Sequence, residues 1–439
     1  MSGKLRTKEF RKLLVDFGET ALECADCQID DLDFNRFKLH NGYGFQISDS
    51  AIEQQAAFTA AALKALGPEI GHAKIIDRAL WDFVVAHADE GIPKDAVTLY
   101  DALDSIEAKS ASVVEWFRPC PLVRLPVGVE NVSIGPVSIH TAEARIAEFR
   151  QINENFKFAV GKGWALDTIA IGKEVGIVTQ LPPLMWSISL TVADPLRDQE
   201  ALWLVDIAVS LLRLTIDADQ LGLLAPSVGK LEPHPFIPHD NRNHAFALKQ
   251  AGGGQLGGMT AANIYELSDA AVSGLNAESC KKKFDQVFNS SASSLGARFY
   301  QGCGWLTRGR RSRDRSDRLL YFFTAIEALL SDSDKSAPVI QNISRRAAVL
   351  LSDDNKERSE IARSIKSLYG IRSALVHTGS RRAFESDSNN AQIVAELLFQ
   401  KVWEELDLKM SHQRFCENLG RATFGLTLTS VLKGESQNT

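Results

Sequence analysis

Apolar residues recur every three or four positions along much of the chain, a spacing that places them on one face of an α-helix. In the first part of the chain this spacing predicts helices over 51–66, 68–88 and 96–116, which are separated at Gly67-Pro68 and near Gly91-Ile92-Pro93. Further along it predicts helices over 198–215, 281–300, 319–332, 338–351, 356–378 and 389–406, and one more in the tail to Thr439. The pattern indicates a mainly helical protein.

The middle of the chain has a different pattern, with short β-branched runs between Gly and Pro residues. The runs in 121–140 and 176–194 predict strands and turns, with a short helix near 141–155. The expected class is therefore α+β multidomain and mainly α, with a mixed N-terminal and middle region before a C-terminal antiparallel helical bundle. The predicted domains are a helical region at 1–118, an α+β domain at 119–224, a Pro/Gly-rich loop and linker helix at 225–280, a helical domain at 281–410 and a tail at 411–439.

Composition narrows the class of protein. With 439 residues, of which 45% are apolar, the chain can bury several sizeable cores. It has no apolar run long enough to span a bilayer, no secretory leader pattern, and only six scattered cysteines, so we expect a cytoplasmic protein with reduced thiols and no membrane partner.

The formal net charge of −6 is unevenly distributed. Residues 281–382 contain 20 Lys and Arg against 10 Asp and Glu, so this segment carries +10 and the remainder −16. A basic segment in an acidic chain favours a polyanionic ligand that is held at one place. The alternative is a basic surface that the acidic remainder balances across a domain interface.

The clearest chemical pattern is SIKSLYGIRSALVHTG at 364–379. On a helix, Tyr369, Ser373 and His377 share a face because they are four residues apart, and the long side chain of Arg372 can swing toward them. The alternative for Arg372 and His377 is a helix end where the histidine caps carbonyls near Thr378-Gly379.

This Arg-x4-His pattern resembles the motif of Apea-like domains of the HEPN ribonuclease superfamily. The resemblance extends to LLYFFTAIEALLSD at 319–332, with Glu327 as its acidic residue, and to NISRRAAVLL at 342–351, so that it covers about 281–410. Ser373 departs from the pattern, because many catalytic members have Asn or Asp directly after the arginine. Residues 1–280 show no such resemblance.

The resemblance implies a metal-independent endoribonuclease. RNA carries its own nucleophile, the 2'-hydroxyl, so the protein need only transfer protons and stabilise charge. His377 is then the proton-transfer residue and Arg372 the electrostatic stabiliser, while Ser373 orients the phosphate or the imidazole and Glu327 holds Arg372 by an ion pair. The family also implies a homodimer that shares one cleft, and a role in defence against phage or stress, with a protein or phage-derived trigger.

An arginine-rich run precedes the Glu327 segment and supplies the candidate RNA-binding residues. Its guanidinium groups match phosphate oxygens. These candidates, with Tyr369 added, are Arg308, Arg310, Arg311, Arg313 and Arg315. The alternative is a solvated surface loop.

Two other functions stay open. One is a catalytically inactive HEPN module that dimerises or binds nucleotides, and the other is a sensor whose N-terminal two-thirds binds a ligand or protein. No metal or cofactor is expected, because Cys24 and Cys27 form only half a zinc site. His234, His239 and His244 lie in a proline-rich stretch, where an exposed binding or regulatory loop is preferred to a metal site.

Overall fold

The chain is mainly helical, as the apolar spacing predicts. A computed structural model describes residues 3–23, 37–40, 43–68, 70–110, 113–145, 170–171, 180–181, 183–216, 228, 231–237, 246–248, 254–256, 265–332 and 339–423. The described helices are α1 Lys8–Glu23, α2 Asp49–Leu66, α3 Ala73–Ala86, α4 Ala96–Ser110, α5 Arg197–Thr215, α6 Asp269–Asn276, α7 Glu278–Phe288, α8 Leu295–Arg311, α9 Arg315–Leu330, α10 Val339–Leu351, α11 Asn355–Thr378, α12 Glu385–Glu405 and α13 His412–Ala422.

The described strands are short, and all of them lie before α6. They are β1 Phe37–His40, β2 Tyr43–Gln46, β3 Val113–Pro119, β4 Val123–Arg124, β5 Asn131–Ile134, β6 Val137–Thr141, β7 Ala170–Ile171, β8 Gln180–Leu181, β9 Leu184–Thr191, β10 Phe246–Leu248, β11 Gly254–Leu256 and β12 Tyr265–Glu266. Four of them form one sheet in the order β3-β9-β6-β5. The pairs β5–β6 and β6–β9 are antiparallel, with Asn131 opposite His140 and Val137 opposite Ile188.

The chain divides into two compact units. The first comprises 1–116 and 189–201, and the second comprises 117–188 and 202–439. The units group the residues differently from the five predicted domains, whose boundaries stay a prediction.

The core of the first unit is built from α1 to α4. In α1, Phe10, Leu14, Phe17 and Ala21 are buried at intervals of four, three and four residues, so they form one stripe. Phe17 packs edge-on against the buried Trp81 of α3, with 5.4 Å between the ring centroids. This stripe buries the apolar face of a helix that the sequence patterns above did not assign.

The second unit contains the helices that carry the predicted site. Helix α8 packs along α9, and both contact α12, while α10 packs along α11. Gly302 lets α8 approach α12 closely, because a Cβ atom at this position would lie 2.1 Å from Cζ of Phe399. The buried face of α9 is rich in large apolar groups, including Phe322, Phe323 and Ile326.

Most helices predicted within the described residues are confirmed, and two predictions are wrong. The predicted helix at 96–116 ends at Ser110, and the β-branched and aromatic run that follows forms β3. The predicted helix at 281–300 is broken into α7 and α8, because Ser294 caps a new helix by accepting a hydrogen bond from Ala297 N. The tail also contains a helix, α13. The short helix predicted near 141–155 lies mostly outside the described residues.

The arginine run is only partly in the interior, and the position of Arg310 contradicts both interpretations for that one residue. Helix α8 continues to Arg311, so Arg308, Arg310 and Arg311 occupy its last turn. Arg310 is only 3% exposed, and its Nε donates to Oε2 of Glu232 at 2.9 Å. It therefore presents no surface to RNA phosphates, and it is not part of a solvated loop.

Arg310 is the centre of a buried ion cluster made of two linked groups. In the first group it pairs with Glu232 and Glu396, and Glu396 also pairs with Arg213. The second group is Asp206 with Arg308 and Arg311, and it is linked to the first through Thr307, which accepts from Arg310 and donates to the Asp206 carbonyl. Glu396 of α12 lies 3.6 Å from Nη1 of Arg310 and accepts a hydrogen bond from Arg213 of α5 at 3.0 Å. Burial opposes the ionisation of Glu396, but Arg213 and Arg310 outweigh it and hold the pKa of that carboxyl below its usual range. The cluster joins α5, α8, α12 and the segment at 231–237.

We expect Arg310→Met to lower the free energy of unfolding by about 3–5 kcal/mol, because it leaves the buried carboxylates of Glu232 and Glu396 without their shared cation. Arg315→Met is the matched control, since Arg315 is exposed at the start of α9 and its loss should change the value by less than about 0.5 kcal/mol. Chemical denaturation of both variants measures the difference. Equal stabilities would show that the cluster does not hold the second unit together.

Candidate functional site

The predicted Arg-x4-His motif lies on α11, a helix with well-defined ends. The side chain of Asp354 accepts a hydrogen bond from Glu357 N at the start of the helix. At its end, Gly379 adopts the left-handed conformation, with φ of 68°, and its N–H donates to Leu375 O. The motif therefore occupies the last two turns, where the chain leaves the helix.

Helix α11 is buried along only a narrow stripe. Among its 24 residues, Arg358, Ile365 and Leu368 are buried. Its C-terminal end carries exposed small and apolar groups, and Val376 is 48% exposed. This helix end has an apolar surface that the described part of the chain leaves uncovered.

The ion pair predicted between Glu327 and Arg372 is present. Nη2 of Arg372 donates to Oε2 of Glu327 at 2.9 Å, and about one-fifth of each side chain is exposed. The Arg372 guanidinium also lies over the Tyr369 ring, 5.8 Å from its centroid. Nε of Arg372 is buried and has no acceptor among the described residues, so one N–H donor of this fixed cation remains unused.

The ionisation of Glu327 depends on Arg372. Burial raises the pKa of the Glu327 carboxyl above its usual value, and Arg372 acts in the opposite direction. Without the guanidinium, burial would raise the pKa of this carboxyl further. The pair thus depends on both charges, and it fixes Arg372 on the side of α11 that faces α9.

His377 lies apart from this pair. It is exposed, and it has no hydrogen-bond or ion-pair partner in the part of the chain that the structure describes. Because a helix turns about 100° per residue, Arg372 and His377 leave α11 about 140° apart. One copy of the chain therefore brings Arg372 to Glu327 and Tyr369 but does not bring it to His377.

The carbonyls at the end of α11 are capped by other groups. Gly379 N–H bonds to Leu375 O, and the hydroxyl of Thr378 donates to Ala374 O. The imidazole of His377 makes neither bond. These contacts count against the alternative in which His377 serves only as a cap.

Ser373 and Tyr369 occupy different surroundings. Ser373 is half-buried, one turn from His377 and on the same side of the helix. Tyr369 packs edge-on against Phe323, with 6.0 Å between the ring centroids, and lies beneath Arg372. Its position supports the arginine, and its contact with RNA stays a prediction.

A groove of about 890 Å³ follows the opposite side of α11 from Arg372. Its lining includes Gly370, Ala374 and Thr378 from the helix, and Arg382 and Phe384 from the segment that follows. Phe384 is 72% exposed. The groove combines the charged side chains of Arg382 and Asp387 with apolar groups, and it lies next to the side of α11 that carries His377.

The other predicted RNA-binding residues fall into two groups. Arg308 and Arg311 both pair with the buried carboxylate of Asp206. Arg313 and Arg315 are exposed, so they remain able to contact a phosphate. Sequence patterns missed Asp206, which lies on α5 with Ser210 and Arg213 at spacings of four and three residues.

The candidate metal ligands are dispersed or lie outside the described residues. Cys24, Cys27, His239 and His244 lie outside them. His234 is half-buried, where burial and Arg311 lower the pKa of its imidazole, and Nδ1 accepts a hydrogen bond from Phe236 N. Within the described ranges, no three His, Cys, Asp or Glu side chains are grouped so as to hold a metal ion.

Among the described helices, none is both long enough and apolar enough to cross a bilayer. Comparison of the chain with models of protein families, with curated proteins and with solved structures finds no match.

Proposed function

We propose that the chain is a metal-independent endoribonuclease of the HEPN type, which acts as a homodimer in defence against phage or stress. The observation that carries the proposal is the Glu327–Arg372 ion pair, because it fixes an arginine with an unused donor on the same helix as an exposed histidine. The pair joins two of the three segments on which the family resemblance depends. The packing of α8 to α12 around short connections supports an antiparallel bundle.

The chemistry requires one proton acceptor and one fixed cation. The 2'-oxygen of RNA attacks the adjacent phosphorus as the imidazole of His377 takes its proton, and the bond from phosphorus to the 5'-oxygen breaks. The leaving oxygen takes up a proton, which gives a 2',3'-cyclic phosphate and a 5'-hydroxyl. Arg372 stabilises the negative charge that develops on the phosphate oxygens.

A second copy of the chain completes the site. Arg372 and His377 point in different directions from α11, and the exposed C-terminal end of this helix includes Val376. In a two-fold dimer the same surface of each copy meets its counterpart. Packing two α11 ends together buries Val376 and places both copies of the motif in one cleft.

RNA reaches this cleft along exposed basic side chains. Arg382 lines the groove beside α11, and Arg363 and Lys366 are exposed on the helix itself. Arg313 and Arg315 remain candidates, whereas the buried Arg310 does not. Each phosphate contact should release counterions, so RNA affinity should fall as the salt concentration rises.

His377→Ala should lower the single-turnover rate of RNA cleavage by about 10²–10⁴-fold, because it removes the proton-transfer group. RNA affinity should stay the same, since this group acts mainly in the transition state. Quenched-flow assays and binding isotherms measure the two quantities. His87→Ala, in the first unit, is the control and should leave both unchanged.

Growth of a bacterial host gives a second measurement of the same variant. Expression of the parent chain should slow growth, and His377→Ala should relieve the toxicity at equal protein level. Toxicity that persists in the variant would show that the chain harms the cell by some other activity.

Arg372→Ala should lower the cleavage rate at saturating RNA by about 10²–10³-fold, as expected for the loss of a charge-stabilising donor. Glu327→Gln should lower it by a smaller factor, because it acts only through the position of Arg372. In the Arg372→Ala background, Glu327→Gln should have no further effect on the rate. Additive losses would show that Glu327 acts independently of the arginine.

Val376→Glu should convert the dimer to a monomer, because a two-fold contact would bring two buried carboxylates together. The monomer should also lose RNA cleavage. Val339→Glu is a matched control, since Val339 on α10 is also 48% exposed. Sedimentation velocity measures the oligomeric state, and a dimer that survives Val376→Glu would place the interface elsewhere.

A further inference from the structure

A second concave site, with a volume of about 600 Å³, lies beside the arginine run. Its lining includes Arg308, Arg311 and Arg313 from the arginine run, His234 from the segment at 231–237, and Tyr321 from α9. We call these five residues the arginine pocket. Its volume is typical of sites for small molecules. Neither Arg372 nor His377 lines it.

The arginine pocket has more positive than negative charge. Arg308 and Arg311 share a single carboxylate, that of Asp206, and they remain 28% and 17% exposed. Arg313 is exposed and has no partner among the described residues. Three guanidinium groups against one carboxylate leave an excess of two positive charges, which suits a doubly charged anion.

Glu232 also lines this site, but Arg310 already balances its negative charge. Its Oε2 accepts hydrogen bonds from Nε of Arg310 at 2.9 Å and from the hydroxyl of Tyr265 at 2.9 Å. Arg310 does not line the pocket, and it is almost wholly buried. The carboxylate of Glu232 therefore does not cancel the excess at Arg308, Arg311 and Arg313.

The other oxygen of Glu232 is unsatisfied. Oε1 is buried and has no donor among the described residues, although Glu232 is only 5% exposed and lines the pocket. A buried carboxylate oxygen without a donor is costly, so a ligand group that donates a hydrogen bond would be stabilised there. A ligand hydroxyl that reaches Oε1 would therefore find a free acceptor beside the cations of the pocket.

Two tryptophan rings hold Arg308 in place. The guanidinium of Arg308 lies 4.6 Å from the ring centroid of Trp203 and 5.1 Å from that of Trp305. Trp305 in turn stacks on Tyr321, with 5.6 Å between the ring centroids and 22° between the ring planes. Because these contacts and Asp206 restrict Arg308, the guanidinium loses little freedom when it binds an anion.

We propose that the arginine pocket binds a small phosphate ester that carries hydroxyl groups. The phosphate takes the guanidinium groups of Arg308, Arg311 and Arg313, where planar donors match its oxygens. A hydroxyl of the ligand donates to Oε1 of Glu232, and the body of the ligand lies against Tyr321. This site is separate from Arg372 and His377, and it does not rest on RNA cleavage.

Isothermal titration calorimetry of the full chain tests the proposal with ribose 5-phosphate, inorganic phosphate and ribose as probes. Ribose 5-phosphate should bind saturably and at least 10-fold more tightly than inorganic phosphate, because only the ester also reaches Glu232. Ribose alone should show no binding. Equal affinities for ribose 5-phosphate and phosphate would overturn the role of Glu232.

Arg313→Gln should weaken the binding of ribose 5-phosphate at least 10-fold. Arg313 is exposed and unpaired among the described residues, so its replacement should leave folding intact. Arg315→Gln removes an exposed arginine two residues away that does not line the pocket, and it should leave the affinity unchanged. The proposal is overturned if neither phosphate compound binds the parent chain, or if both variants weaken binding equally.

Discussion

The buried ion cluster around Arg310 is the interaction on which the second unit depends. Its cations and carboxylates come from α5, α8, α12 and the segment at 231–237, and most of them are almost fully buried. Removing charges from water costs several kcal/mol per ion, so each one is tolerable only while its partners are in place. Burial even raises the pKa of Asp206 to about 7, against the opposing effect of Arg311 and Arg308.

Helix α9 connects the buried ion cluster with the candidate active site. The cluster fixes α8 and α12, both of which pack on α9, and α9 carries Glu327. The carboxylate of Glu327 then sets the position of Arg372 on α11. Helix α11 itself is held by few buried side chains, so the motif lies on a weakly covered helix beside a firmly held one.

The sequence predicts α9 to α12 because their apolar faces repeat at helical spacing, but it merges α7 with the start of α8. The sequence also identifies Glu327 and Arg372 as partners, since the family resemblance pairs the acidic residue of one helix with the arginine of the Arg-x4-His motif. It does not predict the cluster, because Glu232 and Arg310 are 78 residues apart and nothing local marks them as a pair. The one available signal is the polar stripe of Asp206, Ser210 and Arg213 within the apolar α5.

One further difference between the predicted and the observed helices, the separate helix α8, also depends on packing between distant segments. Helix α8 contains four glycines, which weaken a helix in isolation, yet Gly302 is required where Phe399 packs against it. Packing between distant segments thus decides what local pattern leaves open. Helix α1 is different, because Phe10, Leu14, Phe17 and Ala21 recur at helical spacing and the charged residues between them lie on its other faces. Its pattern is therefore local, although it is not among the predicted helices.

The central claim is that the 2'-hydroxyl of RNA is the nucleophile and that Arg372 and His377 assist it. The measurement that tests it most directly is the chemical identity of the RNA ends after cleavage by the purified chain in excess chelator. The claim predicts a 2',3'-cyclic phosphate on one fragment and a 5'-hydroxyl on the other. A 5'-phosphate, or cleavage that needs a divalent ion, would mean that water attacks the phosphorus and would contradict it.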